Sequence, residues 1–255
     1  MTTRRLALIA ATLLAVSACA QPPLPAPPTV HPLQQQLDTA VREGIPGVQV
    51  VITDLDRSPR VLRAGTGDPA FGEPVPDNAR VPIGGSSETF TATVVMQLVH
   101  EGRVRLDQRV ENGATVRELL QRPGGSAELG KLVERVTDRS MGTEIANRIG
   151  YRLGLSGTDF PVTTAVDLNK FWTALLHGNL LPPQRLAEMK RDGLGLRRPP
   201  NTCGREVWGH RGTAPDFTAG GVTAGGRAVT ITFHHLGDRA ETATARIVDA
   251  AWCAN

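Results

Sequence analysis

The chain has 255 residues, 40% hydrophobic and 21% charged, the profile of one ordinary globular domain and not of a fibre or a disordered chain. Its net charge of +3 is small, its basic residues are scattered and aromatics make up 4%, so neither a nucleic-acid groove nor base-stacking platforms are indicated. No apolar run reaches the roughly 20 residues of a membrane-spanning helix, which removes a channel or transporter built of such helices.

The N-terminus reads as an address. Arg4 and Arg5 form a positive region, Leu6 to Val16 an apolar core, and small residues lead into Cys19. The run Val16-Ser17-Ala18-Cys19 looks like a bacterial lipobox, which implies cleavage before Cys19 and diacylglyceryl attachment to its sulfur; plain secretion with an incidental Cys19 is the alternative. Two acyl chains suffice for stable anchoring, placing the protein on the extracytoplasmic face of a bacterial membrane. Residues 1–18 are then a signal peptide and residues 19–32 a lipidated, Pro-rich tether, stiff and solvated. The folded domain is expected over 33–255.

Leu33 to Glu43 carries a helical stripe of Leu33, Leu37, Ala40 and Val41 that stops at Gly44. Gly47 to Thr53 is β-branched and strand-like, with Val61 to Ala64 as its hairpin partner across the Asp56–Pro59 turn. A Pro- and Gly-rich stretch precedes the longest helical pattern, Thr89 to Gly102. Further helices are expected over 115–121, 127–137, 142–149, 163–176 and 183–190. Strand character returns at 206–209, 217–222 and 228–234, and a last helix spans about 240–252. The order predicts an α+β fold: a single antiparallel sheet completed by both termini, flanked by the terminal helices, with an inserted helical region at about 85–190.

With Cys19 assigned to lipid, Cys203 and Cys253 remain. An exported chain with two remaining thiols is expected to pair them, two free thiols being the other reading. The loop of about 50 residues so closed is worth roughly 4 kcal/mol in the chain-entropy picture.

The segment Ile83-Gly84-Gly85-Ser86-Ser87-Glu88-Thr89-Phe90-Thr91-Ala92, continuing to Leu106-Asp107, resembles the serine β-lactamase and D-alanyl-D-alanine carboxypeptidase family, on the branch of class C β-lactamases and related esterases. Leu153-Gly154-Leu155, Ala165-Val166-Asp167-Leu168, Gly193-Leu194-Gly195-Leu196 and Gly209-His210-Arg211-Gly212 extend the resemblance, which covers about Gly47 to Cys253. The stretch from Leu194 to Cys253 is similar to secreted D-alanyl-D-alanine carboxypeptidases, which carry a matching C-terminal disulfide. The family's first motif reads Ile-Gly-Ser-x-Thr-Lys-x-Phe-Thr-Ala, with serine as nucleophile and lysine one turn later. Aligned without gaps, the nucleophile falls on Gly85 and the lysine on Glu88. Acylation needs a hydroxyl and a neighbouring base; glycine offers none, and glutamate reverses the charge. Shifting the register does not help, since Thr89 follows Ser86 by three and Phe90 follows Ser87. The lysines Lys131, Lys170 and Lys190 lie far from this turn in sequence.

The family's Tyr-x-Asn loop is missing, because Leu120-Gln121-Arg122-Pro123-Gly124-Gly125-Ser126 runs almost directly into the next helix. The one tyrosine, Tyr151, reads as packing. The third motif is retained with Arg211 in place of a hydroxyl residue, and His210, Arg211 and Gly212 are the candidate ligand groove; arginine there can still bind a carboxylate. An improvised hydrolase using Ser86 or Ser87 with Glu88 or His210 is the rival reading, set against both serines as helix caps. A zinc site from His210, His234 and His235 is rejected, because neighbours on a strand point to opposite faces. Glu101, Asp107 and Asp216 read as solvated, and Glu118 with Arg122 as a routine surface pair. The expectation is a lipid-anchored domain of penicillin-binding fold that has lost acylation chemistry, has no cofactor, and binds cell-wall peptide or an envelope protein.

Overall fold

The computed structural model describes residues 31–55, 57–211, 218–223, 225–234 and 241–253. Cys19 and its tether, Gly212, Asp216 and His235 lie outside these residues.

Helix α1 (Pro32–Arg42) starts on Pro32, whose fixed φ suits a first helical position, and its His31 cap accepts from the Leu33 amide. Leu33, Leu37 and Ala40 fall on one face and are buried. Strand β1 (Gly47–Thr53) pairs antiparallel with β2 (Arg60–Asp68) on one side and β8 (Ala228–His234) on the other. With β3 (Glu73–Pro74), β6 (Val207–Arg211) and β7 (Thr218–Thr223) they form one six-stranded sheet, order β3-β2-β1-β8-β7-β6. The two termini of the domain therefore meet at the centre of the sheet. Alternation along β1 sends Val48, Val50 and Ile52 to one face, where they pack with Leu33 and Leu37 of α1 and with Ile247, Val248, Ala251 and Trp252 of α9 (Glu241–Cys253). The Cys203–Cys253 disulfide ties that last helix to the loop before β6.

The opposite face carries the helical region. Here α2 (Ser86–His100) is buried on nearly every side, as a central helix must be. Phe90 stacks on Phe171 of α7 (Ala165–Leu176) with ring centroids 3.7 Å apart. Asn169 of α7 donates to the Val51 carbonyl of β1 and accepts from the Thr53 hydroxyl. Gly220 on β7 leaves room for the Trp172 indole, since a Cβ there would lie 1.9 Å from Nε1.

Four expectations are corrected. A second, two-stranded sheet joins β4 (Arg80–Pro82) to β5 (Val162–Thr164), so the sheet is not single. Thr163 consequently belongs to a strand, and α7 begins at Ala165 with Thr164 as its cap. The helix expected over 142–149 is instead α5 (Met141–Ile145), a π-helical turn Ala146–Gly150 and α6 (Tyr151–Leu153). Tyr151 does not pack: it is 80% exposed, because the π turn rotates it off the buried face on which Ile145 and Ile149 lie. Among the described residues no helix is long and apolar enough to cross a membrane.

Candidate functional site

The site is assembled at the N-terminus of α2. Gly84 takes a positive φ of 56° and Gly85 stands as the cap residue, with no side chain to bond the first amides. Neither Ser86 nor Ser87 is the cap, which corrects the sequence reading. Ser86 is already inside the helix and fully buried. Ser87 is half-buried and turns to a separate cleft that it shares with Thr91.

Glu88, in the first turn, lies where a helix dipole favours an anion. Its Oε1 accepts the Gly124 amide at 3.0 Å and its Oε2 lies 3.3 Å from His210 Nε2. The carboxylate thus links three elements. The Gly124 contact exists because α3 (Val116–Gln121) and α4 (Ser126–Thr137) are joined by only four residues. Gly125 makes so short a link passable, since a Cβ there would sit 2.1 Å from the Leu119 carbonyl oxygen.

His210 reaches Glu88 through a chain of backbone contacts. Thr89 donates its hydroxyl to the Gly195 carbonyl at 2.6 Å, and Gly195 packs so tightly that a Cβ would lie 2.4 Å from that of Ala92. Two residues on, Arg197 and Gly209 exchange both amide–carbonyl bonds, at 2.8 and 3.0 Å. Gly209 in turn pairs with Gly221 on β7, where a side chain would strike the Gly220 carbonyl at 2.0 Å. Alternation along β6 then sends Trp208 and His210 toward the helical region, and His210 is buried to 8% exposure. The main chain of Arg211 belongs to β6, while its side chain lies outside what is described.

The residues that complete this arrangement but were not singled out as site residues are Thr89, Gly124, Gly195 and Arg197. Gly124-Gly125 and Gly193-Leu194-Gly195 were visible as glycine pairs, yet nothing in sequence says which backbone approaches which helix. Their role follows from contacts distant in sequence, such as Thr89 donating to the Gly195 carbonyl and Arg197 Nη2 donating to the Gln121 carbonyl, 106 and 76 residues apart.

Other acidic residues also depart from expectation. Glu118 does not pair with Arg122; it closes a capping box with Thr115, which pulls its carboxyl below the usual range. Glu101 is not simply solvated, because Arg148 holds it in a bidentate pair.

Chemically, the Gly85 position offers no hydroxyl. Each of the three lysines is engaged elsewhere: Lys131 with Glu128, Lys170 with Asp167, and Lys190 over the Trp208 ring. What stands at the positively polarised end of this helix is a carboxylate–imidazole pair, Glu88 and His210, able to give and take hydrogen bonds.

The family model named Beta-lactamase matches residues 30–127. Solved structures with the same architecture include a D-stereospecific amidohydrolase from Streptomyces sp., 24% identical, covering 88% of this chain and 98% of that one with a TM-score of 0.71. The D-amino acid amidase from Ochrobactrum anthropi SV3 in complex with D-phenylalanine is 18% identical, with coverage of 86% and 97% and a TM-score of 0.78. A penicillin binding protein from Bacillus halodurans is 14% identical, with coverage of 86% and 99% and a TM-score of 0.73. The chain thus has the antiparallel α+β fold of serine β-lactamases and penicillin-binding proteins, and its residues 30–127 match the Beta-lactamase family model.

Proposed function

We propose that the protein is a non-acylating binding module of the bacterial cell envelope, exported and anchored through a lipid on Cys19. In this reading residues 1–18 are removed, residues 19–32 form the tether and residues 33–255 the binding domain. One observation carries the loss of chemistry: Gly85 and Glu88 occupy the positions of nucleophile and lysine, and Glu88 is held by His210 and Gly124. A serine hydrolase needs a hydroxyl with its proton acceptor in reach, and a buried Ser86 beside a carboxylate–imidazole pair does not replace a motif serine and lysine. The architecture shared with a D-stereospecific amidohydrolase and a D-amino acid amidase supports a cell-wall peptide bearing D-residues as the ligand; an envelope protein is the other partner class. Incubation with a fluorescent penicillin should leave the protein unlabelled. Labelling mapped to Ser86 or Ser87 would favour the hydrolase instead.

The anchor has its own test. Replacing Cys19 by Ala removes the sulfur that would carry the diacylglyceryl group, and one acyl chain or none gives only reversible membrane attachment. The Cys19→Ala protein should therefore appear in the medium when cells are fractionated, whereas the natural chain stays with membranes. Equal membrane retention of both would remove the lipid anchor.

A further inference from the structure

A cleft of about 490 Å³ opens at the end of α2 far from Glu88, a volume within the range of small-molecule sites. It lies between the last turn of α2, the π turn Ala146–Gly150 and the link from α7 to α8 (Pro183–Asp192). Such π turns occur frequently at functional sites, and this one brings Asn147 into the cleft wall.

Gln97 lines this cleft with an unmet hydrogen bond. Its Nε2 donates to the Leu180 carbonyl at 3.0 Å, which fixes the orientation of the amide. The amide oxygen Oε1 is buried, and among the described residues it has no hydrogen-bond partner. A buried acceptor without a donor is costly, so its natural complement is a hydroxyl or N–H of a molecule seated in the cleft. Asn147 and Asn179 stand in the same wall, and among the described residues their carboxamides bond to no other group. A carboxamide holds a donor and an acceptor side by side. Three of them fit a ligand whose adjacent groups both give and take hydrogen bonds.

We infer that this cleft is a binding site for a neutral saccharide, with one ring hydroxyl donating to Gln97 Oε1 and its neighbours meeting Asn147 and Asn179. Charge excludes the ionic classes. Arg148 is already paired with Glu101 and Glu144, so a cation would meet Arg152, which has no ion-pair partner among the described residues. An anion would meet the Glu101 carboxylate and the negative C-terminal ends of α2 and α7. A ring of hydroxyls meets neither penalty, and its C–H face can rest on Leu181 and Pro182. The site does not depend on whether the Glu88–His210 groove binds a peptide, because it lies at the other end of α2.

The test is saturation-transfer NMR on the full protein with four probes: methyl glucoside, its 6-amino-6-deoxy analogue (an ammonium), its glucuronide (a carboxylate) and cyclohexanol. The glucoside should bind at millimolar concentration, and the other three roughly tenfold more weakly or not at all. Gln97→Leu removes the buried acceptor and should weaken the glucoside by roughly five- to tenfold, the factor of one ordinary hydrogen bond. Asn147 and Asn179 are exposed, so Asn147→Trp and Asn179→Trp can obstruct the cleft from two sides without entering the core, and each should abolish binding. Glucoside binding that survives both tryptophan variants, or no glucoside binding at millimolar concentration, would overturn the site. An unchanged affinity in Gln97→Leu would overturn the role of Gln97. Equal binding of either charged sugar would overturn the neutral class, and equal binding of cyclohexanol would overturn the saccharide.

Discussion

Removing both cysteines of the Cys203–Cys253 bond should destabilise the domain by about 4 kcal/mol, through the unfolded chain more than through the folded one. The bond closes a separation of 50 residues, for which the chain-entropy picture gives a loss of that size. In the folded state α9 has other anchors. Thr202 donates its amide and its hydroxyl to Asp249, each at 2.6 Å, and Arg205 donates to the Trp252 carbonyl. Trp252, Ile247 and Ala251 are buried against α1 and the sheet. The Cys203→Ala, Cys253→Ala protein should therefore keep its native spectrum yet unfold at markedly lower denaturant. Alkylation of the unreduced natural protein should find neither thiol free. An unchanged midpoint in the double variant would mean the unfolded chain is already as compact as the crosslink makes it.

Arg148→Ala should produce the next largest loss. Glu144 is buried to 1% exposure in the α5 turn and is held by Arg148 and Arg139, while Arg148 reaches on to Glu101 of α2's C-terminal end. Stripping a buried carboxylate of its partner costs about 3–5 kcal/mol; with Arg139 still in place the expected cost at neutral pH is about 2–3 kcal/mol. Part of the loss is pH-dependent. The hydrogen bond from Arg148, against the opposing effect of burial, holds the Glu101 carboxyl below its ordinary value near 4.5. A depressed folded pKa gives stability that is present above the unfolded value and is lost as pH falls through the folded one. Glu101 is more than a third exposed, so solvent screening keeps its share to a few tenths of a kcal/mol. Natural and variant unfolding curves should thus converge slightly below about pH 4.5. A variant as stable as the natural protein at pH 7 would show that Arg139 alone satisfies Glu144.

The order of elements was legible because each carries its own period. Leu33, Leu37 and Ala40 repeat at helical spacing, and the β-branched run of β1 and the alternation in β8 read as strands. The β4–β5 pair was not legible: three residues on each side, 80–82 and 162–164, carry no period, and only the fold brings them together. The π turn at 146–150 has no signal of its own in the sequence, although it leaves Ile145 and Ile149 buried as a helical stripe would. The capping expectation failed for a related reason. Ser86 looked like a cap from its neighbours, but burial against the body of the protein draws it into the helix and leaves Gly85 outside. At the site, the substitutions Gly85 and Glu88 were readable by comparison with a motif, whereas the contact of Glu88 with His210, 122 residues away, needed the sheet.

The proposal that the protein does not acylate is tested most directly by intact-protein mass after incubation with a penicillin and with an activated ester. The natural chain should show no adduct. Gly85→Ser should also stay unmodified, because a serine without its base is weak, and Glu88 would remain bound to His210. Gly85→Ser with Glu88→Lys should acquire a slow adduct at the new hydroxyl, since the two parts act as a unit and single replacements in such units recover little. A stoichiometric adduct on the natural chain, mapped to Ser86 or Ser87, would contradict the account and make the protein a hydrolase with a rebuilt site.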